Sequence, residues 1–145
     1  DSSVVAQQRL SLKLVNGTFK TDIARARTFG FAHEVDALRE AGLAQGGSLD
    51  NAVVISDGAV LNGDGLRYDD EFVRHKILDC VGDLYLAGAP IIGSVEAVRS
   101  GHTLNNRLLV ELFTQDDAWS YVEFTEALVP GTSHSEAEEA QRAIA

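Results

Sequence analysis

The spacing of hydrophobic and polar positions changes several times along this chain. Residues 9–15, RLSLKLV, alternate at Leu10, Leu12 and Leu14, which predicts a half-buried strand. Asn16-Gly17-Thr18 reads as a turn, and a second strand is expected within residues 19–31, closing on Phe29 and Phe31 around Gly30. HEVDALREAGL then takes helical spacing, with Val35, Leu38 and Leu43 facing inward and Gly42 at the C-terminal cap. GGS at 46–48 breaks the chain, and NAVVIS at 51–56 predicts a strand. DGAVLNGDG turns through two glycine-containing corners around a short AVL strand.

The longest helical pattern runs from about Asp69 to Leu86, with acidic residues in its first turn and Gly88 and Pro90 to stop it. At about 100° per residue, Val73, Ile77, Cys80, Val81, Leu84 and Tyr85 gather on one side, the predicted core face. His75, Asp79 and Asp83 stand opposite at successive i, i+4 positions, with Lys76 beside them. Phe72 and Leu86 fall inside that polar stripe, so the helix is apolar nearly all round and something is expected to cover the stripe. A neutral imidazole and a carboxylate at this spacing reach one metal ion, and zinc takes such an N/O pair readily. The same spacing also suits a solvated face with a His–Asp ion pair.

A further helix is expected after Ser100, a good N-cap, running through HTLNNRLLVELFTQ with Leu104, Leu108, Leu112 and Phe113 as its buried stripe. His102 sits in its first turn, where the helix dipole disfavours an imidazolium; a carboxylate from Asp79 or Asp83 would reverse that. A histidine so held stabilises a developing oxyanion or donates a proton to a leaving amine, or else simply packs or caps. Asn105 and Asn106 read as structural, bonding to backbone groups. AWSYVEF, residues 118–124, is a last strand candidate. Beyond Pro130 no bulky apolar side chain occurs before Ile144, so residues 129–145 are expected to form a flexible tail.

Composition narrows the function classes. The 145 residues fit one domain with a real core, and a net charge of −10 argues against non-specific nucleic-acid binding or a basic membrane-surface patch. Cys80, the single cysteine, reads as buried filler in a reducing compartment. No apolar run approaches the roughly 18 residues of a membrane span, and no secretion signal opens the chain. A cytoplasmic location is therefore expected. The order of strands and helices predicts an α+β fold, helices packed on a mixed β-sheet as a two-layer sandwich.

GLRYDDEFVRHKILDCVGDLYLAGAPIIG followed by SGHTLNNRLL resembles the C-terminal part of the zinc-dependent UDP-3-O-acyl-N-acetylglucosamine deacetylases, which act in lipid A synthesis in Gram-negative bacteria. The resemblance extends upstream through ARTFGFAHEVDALREAGLAQGGSLDNAVVI and GAVLN, covering roughly residues 25–113, and continues more weakly to about Phe124. It implies Zn2+ as cofactor, with His75 and Asp79 as two of three protein ligands. His102 matches an electrostatic stabiliser or general acid, and Asp83 its supporting carboxylate. Lys76, Thr28 and Phe29 match substrate contacts near the zinc. Phe31, Val35, Leu49 and Val54 match a passage for the fatty-acyl chain within an insert at about 29–56; plain core packing is the alternative for those four.

Residues 1–128 would then be most of the second domain of a two-domain deacetylase. The third zinc histidine and a general-base glutamate are expected from an N-terminal half that this sequence does not contain. His33 and His134, the other histidines, match neither. The implied reaction is hydrolysis of the N-acetyl amide, with this chain supplying part of the active site and inactive alone. The alternative is a module that binds a nucleotide sugar or an acyl chain without hydrolysis.

Overall fold

The computed structural model describes residues 4–15 and 17–123. The chain divides into two compact units, one ending at Glu111 and one starting at Leu112.

The first unit is built on a three-stranded mixed sheet of order β1-β2-β3, with β1 Thr28–Phe31, β2 Ala52–Ser56 and β3 Ala59–Val60. β1 and β2 are parallel, in the register Thr28↔Ala52 to Phe31↔Ile55. A parallel pair needs a long crossover, and helix α1, Ala32–Glu40, provides it and packs against both strands. α1 ends as its glycine predicts. Gly42 has φ +77°, its N–H donates to the Arg39 carbonyl at 3.0 Å, and the Leu43 N–H reaches back to Leu38 at 2.8 Å. That pair of bonds satisfies carbonyls the helix end would otherwise orphan. β2 and β3 form a two-residue hairpin through Asp57 and Gly58, both at positive φ, the turn whose twist matches paired strands.

Strict alternation along β2 buries Val53 and Ile55 on one face. They form the core with Phe72, flanked by Val4, Val5, Phe29, Phe31, Val60 and Leu66. Helix α2, Glu71–Leu84, supplies Phe72 and continues into a 3-10 turn, Tyr85–Ala87, before Gly88. A π-helical turn, Phe19–Ile23, also packs on α2: Arg74 Nη1 donates to the Asp22 carbonyl at 2.9 Å, and the Tyr68 hydroxyl to Thr21 at 3.2 Å. Helix α3 spans His102–Phe113. The α+β fold with helices on a mixed sheet is thus present.

Several expectations need correction. Residues 9–15 form no strand, because no described strand lies alongside them to pair with. Only residues 28–31 of the 19–31 segment are extended, the start being the π-helical turn. The expected core face of α2 is wrong. Val73, Ile77, Cys80, Val81 and Leu84 are only partly buried and Tyr85 is exposed, whereas Glu71 and Phe72 are buried. Phe72 turns its own side of the helix to the sheet, so the polar stripe faces inward and Leu86, at the far end, is exposed. On α3 the buried residues are Asn105 and Leu109; Leu104, Leu108 and Phe113 are exposed and Leu112 partly so. Leu38 and Leu43 are exposed too.

In the second unit residues 118–123 form no strand, and Trp119 stacks edge-to-face on Phe113 and Tyr121, each at 5.2 Å. The tail expected at 129–145, with His134, lies outside the described residues.

Candidate active site

α2 brings His75 and Asp79 together one turn apart, their side chains largely shielded, with Nε2 and Oδ1 separated by 3.2 Å. The other ring nitrogen has a partner of its own. His75 Nδ1 lies 3.3 Å from the Ala26 carbonyl, an oxygen that only accepts, so this contact is a hydrogen bond in the Nδ1–H form of the ring. In the neutral ring Nε2 is then a lone pair facing a carboxylate oxygen. Two acceptors this close need a proton or a cation between them.

The separation suits a metal. Zinc bonds nitrogen and oxygen at about 2.0–2.1 Å, and a tetrahedral angle puts two such donors roughly 3.3 Å apart. A ligating histidine also normally donates its second N–H to a carbonyl or carboxylate, the role Ala26 plays here. The donor set is incomplete, however. Among the described residues no group of three His, Cys, Asp or Glu side chains stands close enough to hold a metal ion. Lys76 Nζ lies 3.0 Å from Asp79 Oδ2, so the carboxylate offers one oxygen to the histidine and the other to the lysine.

Phe29 covers this pair from β1. Its ring meets Phe72 edge-on at 4.9 Å and His75 at 6.2 Å, and Lys76 Nζ stands 5.7 Å over its face. Thr28 is exposed at the start of the same strand.

One turn further along α2, Asp83 meets the first residue of α3. Its Oδ2 and Oδ1 lie 2.8 Å and 3.0 Å from His102 Nδ1, and Asn105 Nδ2 donates to Oδ2 at 2.8 Å. Burial works to push the Asp83 carboxyl up, but the Asn105 and His102 hydrogen bonds outweigh it and hold it below the usual carboxylate range. His102 is mostly exposed, so with Nδ1 committed to Asp83 its Nε2 is open to solvent. Cys80 takes no part: burial, then Asp83 and Asp79, push its thiol up and keep it protonated.

The expected acyl-passage residues are not gathered in one place. The parallel register puts Phe31 with Phe29, Val53 and Ile55 on the core face, while Val54 pairs with Gly30 on the other. Val35 lies on α1, partly buried, and Leu49 is exposed in the loop before β2.

Two residues escaped the sequence reading. Glu71 read only as a dipole acid, yet it is fully buried and its carboxylate accepts Arg27 Nε at 2.9 Å, Arg27 Nη2 at 3.1 Å and the Arg27 and Arg67 N–H groups at 2.9 and 2.6 Å. Asn105 read as bonding to backbone and instead serves Asp83. The one available signal for Asn105 was its place one turn after His102 on the same helix.

The model of one family, UDP-3-O-acyl N-acetylglycosamine deacetylase (LpxC), matches residues 1–114. The chain belongs to this family. The match takes in β1, α2 and α3, so every residue of the His75–Asp79 and Asp83–His102 pairs lies inside it. Deacetylation is accordingly the family's chemistry, and both pairs are to be read against hydrolysis of an amide. No described helix is long and apolar enough to cross a membrane.

Proposed function

We propose that this chain supplies part of the active site for zinc-dependent removal of the N-acetyl group from UDP-3-O-acyl-N-acetylglucosamine, a step of lipid A biosynthesis carried out in the cytoplasm. The observation that carries the reading is the His75 Nε2–Asp79 Oδ1 pair, 3.2 Å apart with Nδ1 tied to Ala26. When bound there, zinc would supply Lewis-acid polarisation of the amide carbonyl and an acidified water.

The chain's own residues do the rest of the work assigned to it. Asp83 orients His102 through Nδ1, so the ring turns Nε2 toward the substrate side, where an Nε2–H can bond the developing oxyanion or hand a proton to the departing amine nitrogen. Lys76, fixed by Asp79 over Phe29, places a point charge where an anionic nucleotide sugar would approach. Thr28 and Phe29 contact the substrate beside it, and Phe31, Val35, Leu49 and Val54 contribute apolar surface for the acyl chain within residues 29–56. In this reading residues 1–128 are most of the second domain of a two-domain enzyme. A third ligand and the general base come from outside the described residues, which support only two ligands.

Acetate release from UDP-3-O-acyl-N-acetylglucosamine tests the reading, with the chain supplemented by a polypeptide of the family that carries the missing histidine and glutamate. Activity is expected to depend on zinc and to fall about 100-fold or more in His102→Ala. Binding of the nucleotide sugar without hydrolysis would instead identify a non-catalytic binding module. The lack of a three-residue ligand group among the described residues favours that alternative; the built Asp83–His102–Asn105 cluster speaks against it.

A further inference from the structure

A single peptide unit ties two residues of α2 to each other. The Ala26 carbonyl lies 3.3 Å from His75 Nδ1, and the Arg27 N–H, the other end of the same amide, donates to Glu71 Oε1 at 2.9 Å. Glu71 and His75 stand four residues apart on one face of α2. A trans peptide is planar and stiff, with its N–H and C=O pointing in opposite directions, so a grip on one end aims the other. The grip itself is firm. Glu71 is fully buried and also takes Arg27 Nε at 2.9 Å and the Arg67 N–H at 2.6 Å, while Arg27 Nη2 reaches the Gly65 carbonyl at 2.7 Å. A negative charge at the N–H end also polarises the amide and makes its oxygen a stronger acceptor.

We propose that Glu71 is a positioning residue for the metal-facing histidine: through the 26–27 peptide it keeps the proton of neutral His75 on Nδ1 and the lone pair on Nε2, toward Asp79. The proposal rests on the reading of His75 as a metal ligand. It differs from a purely structural role, in which Glu71 does no more than neutralise the buried Arg27 guanidinium.

Two double variants of the whole chain separate the roles. Arg27→Met with Glu71→Gln and Arg27→Met with Glu71→Met both remove the buried ion pair, which neutral side chains of similar volume often replace without loss. Only the glutamine retains an oxygen for the residue-27 N–H. The readout is the nitrogen NMR spectrum of the His75 ring in metal-free protein, at a pH where imidazoles are neutral. The wild type and the glutamine variant are expected to show the Nδ1–H tautomer. In the methionine variant the Nε2–H form should gain about tenfold, and any zinc affinity should drop about 10- to 100-fold, as when a ligand's supporting partner is lost. Equal tautomer ratios in the two double variants would overturn the proposal. A wild-type His75 protonated on Nε2 would do so too, and that spectrum decides even if the methionine variant fails to fold. Zinc titration of the wild type supplemented with a family polypeptide carrying the third histidine reads the underlying assignment separately: zinc held equally well with His75→Ala, or not at all, contradicts His75 as a ligand, while the metal-free spectra still decide the clamp.

Discussion

Asp83 carries two residues of α3 on one carboxylate, His102 through Nδ1 and Asn105 through its amide. The two partners differ in what they lose without it. Asn105 is buried, so Asp83→Ala strands an amide away from water and is expected to cost about 1–3 kcal/mol in urea unfolding. His102 is exposed, and His102→Ala should change stability by no more than about 0.5 kcal/mol. Equal losses in the two variants would mean the cluster serves the fold alone. Glu71 gives a pH signature. Burial pushes its carboxyl up from 4.5, but hydrogen bonds from the Arg27 side chain, then from the Arg27 and Arg67 backbone, bring it below that value. A depressed carboxylate binds fewer protons folded than unfolded, so its contribution is fully present above about 4.5 and is lost as pH falls through the lower folded value. Unfolding free energy should therefore fall with acid below about pH 4.5, and Glu71→Gln should flatten that slope. An unchanged slope in the variant would show that other carboxylates set it. At this scale the His75–Asp79 pair was legible because i, i+4 spacing alone brings it together. Glu71 was not, since its main partner, Arg27, stands 44 residues away in sequence and meets it only through the fold.

Among the elements, α2 has its first turn closed by a residue from far upstream. Asp70 makes no capping bond and pairs instead with Arg74, while Gln8 Oε1 accepts the Val73 N–H at 3.0 Å. The 3–4 spacing correctly placed this helix but could not say which stripe meets the sheet. Phe72 decided that, by joining Val53, Ile55 and Phe29. The β2–β3 hairpin was legible because Asp-Gly demands a tight turn between strands. The strand expected at 9–15 was not real, since alternation marks a strand only where another backbone stands ready to pair. α1 ends on a left-handed glycine, so Gly42→Ala is expected to cost about 1–2 kcal/mol. Thermal or urea unfolding checks this; a neutral substitution would contradict the cap.

For the molecule as a whole, the site is assembled at the meeting of three segments: the 26–29 stretch leading into β1, the middle of α2 and the start of α3. Membership of the deacetylase family and the α+β fold were both legible, because the motif-bearing helices carry their chemistry at local spacing. The residues expected to line an acyl passage were harder to read: whether Phe31 and Val54 share a face depends on strand register, which puts them on opposite sides. The same three-segment assembly makes metal binding the decisive property. The zinc affinity of the chain supplemented with the family polypeptide that carries the missing histidine and glutamate, measured by chelator competition for the wild type, His75→Ala and Asp79→Ala, tests it most directly. The account predicts one saturable zinc site per chain, weakened at least about tenfold by either substitution with the fold retained. A supplemented chain that takes no zinc, or that holds it equally well without His75 and Asp79, would contradict it.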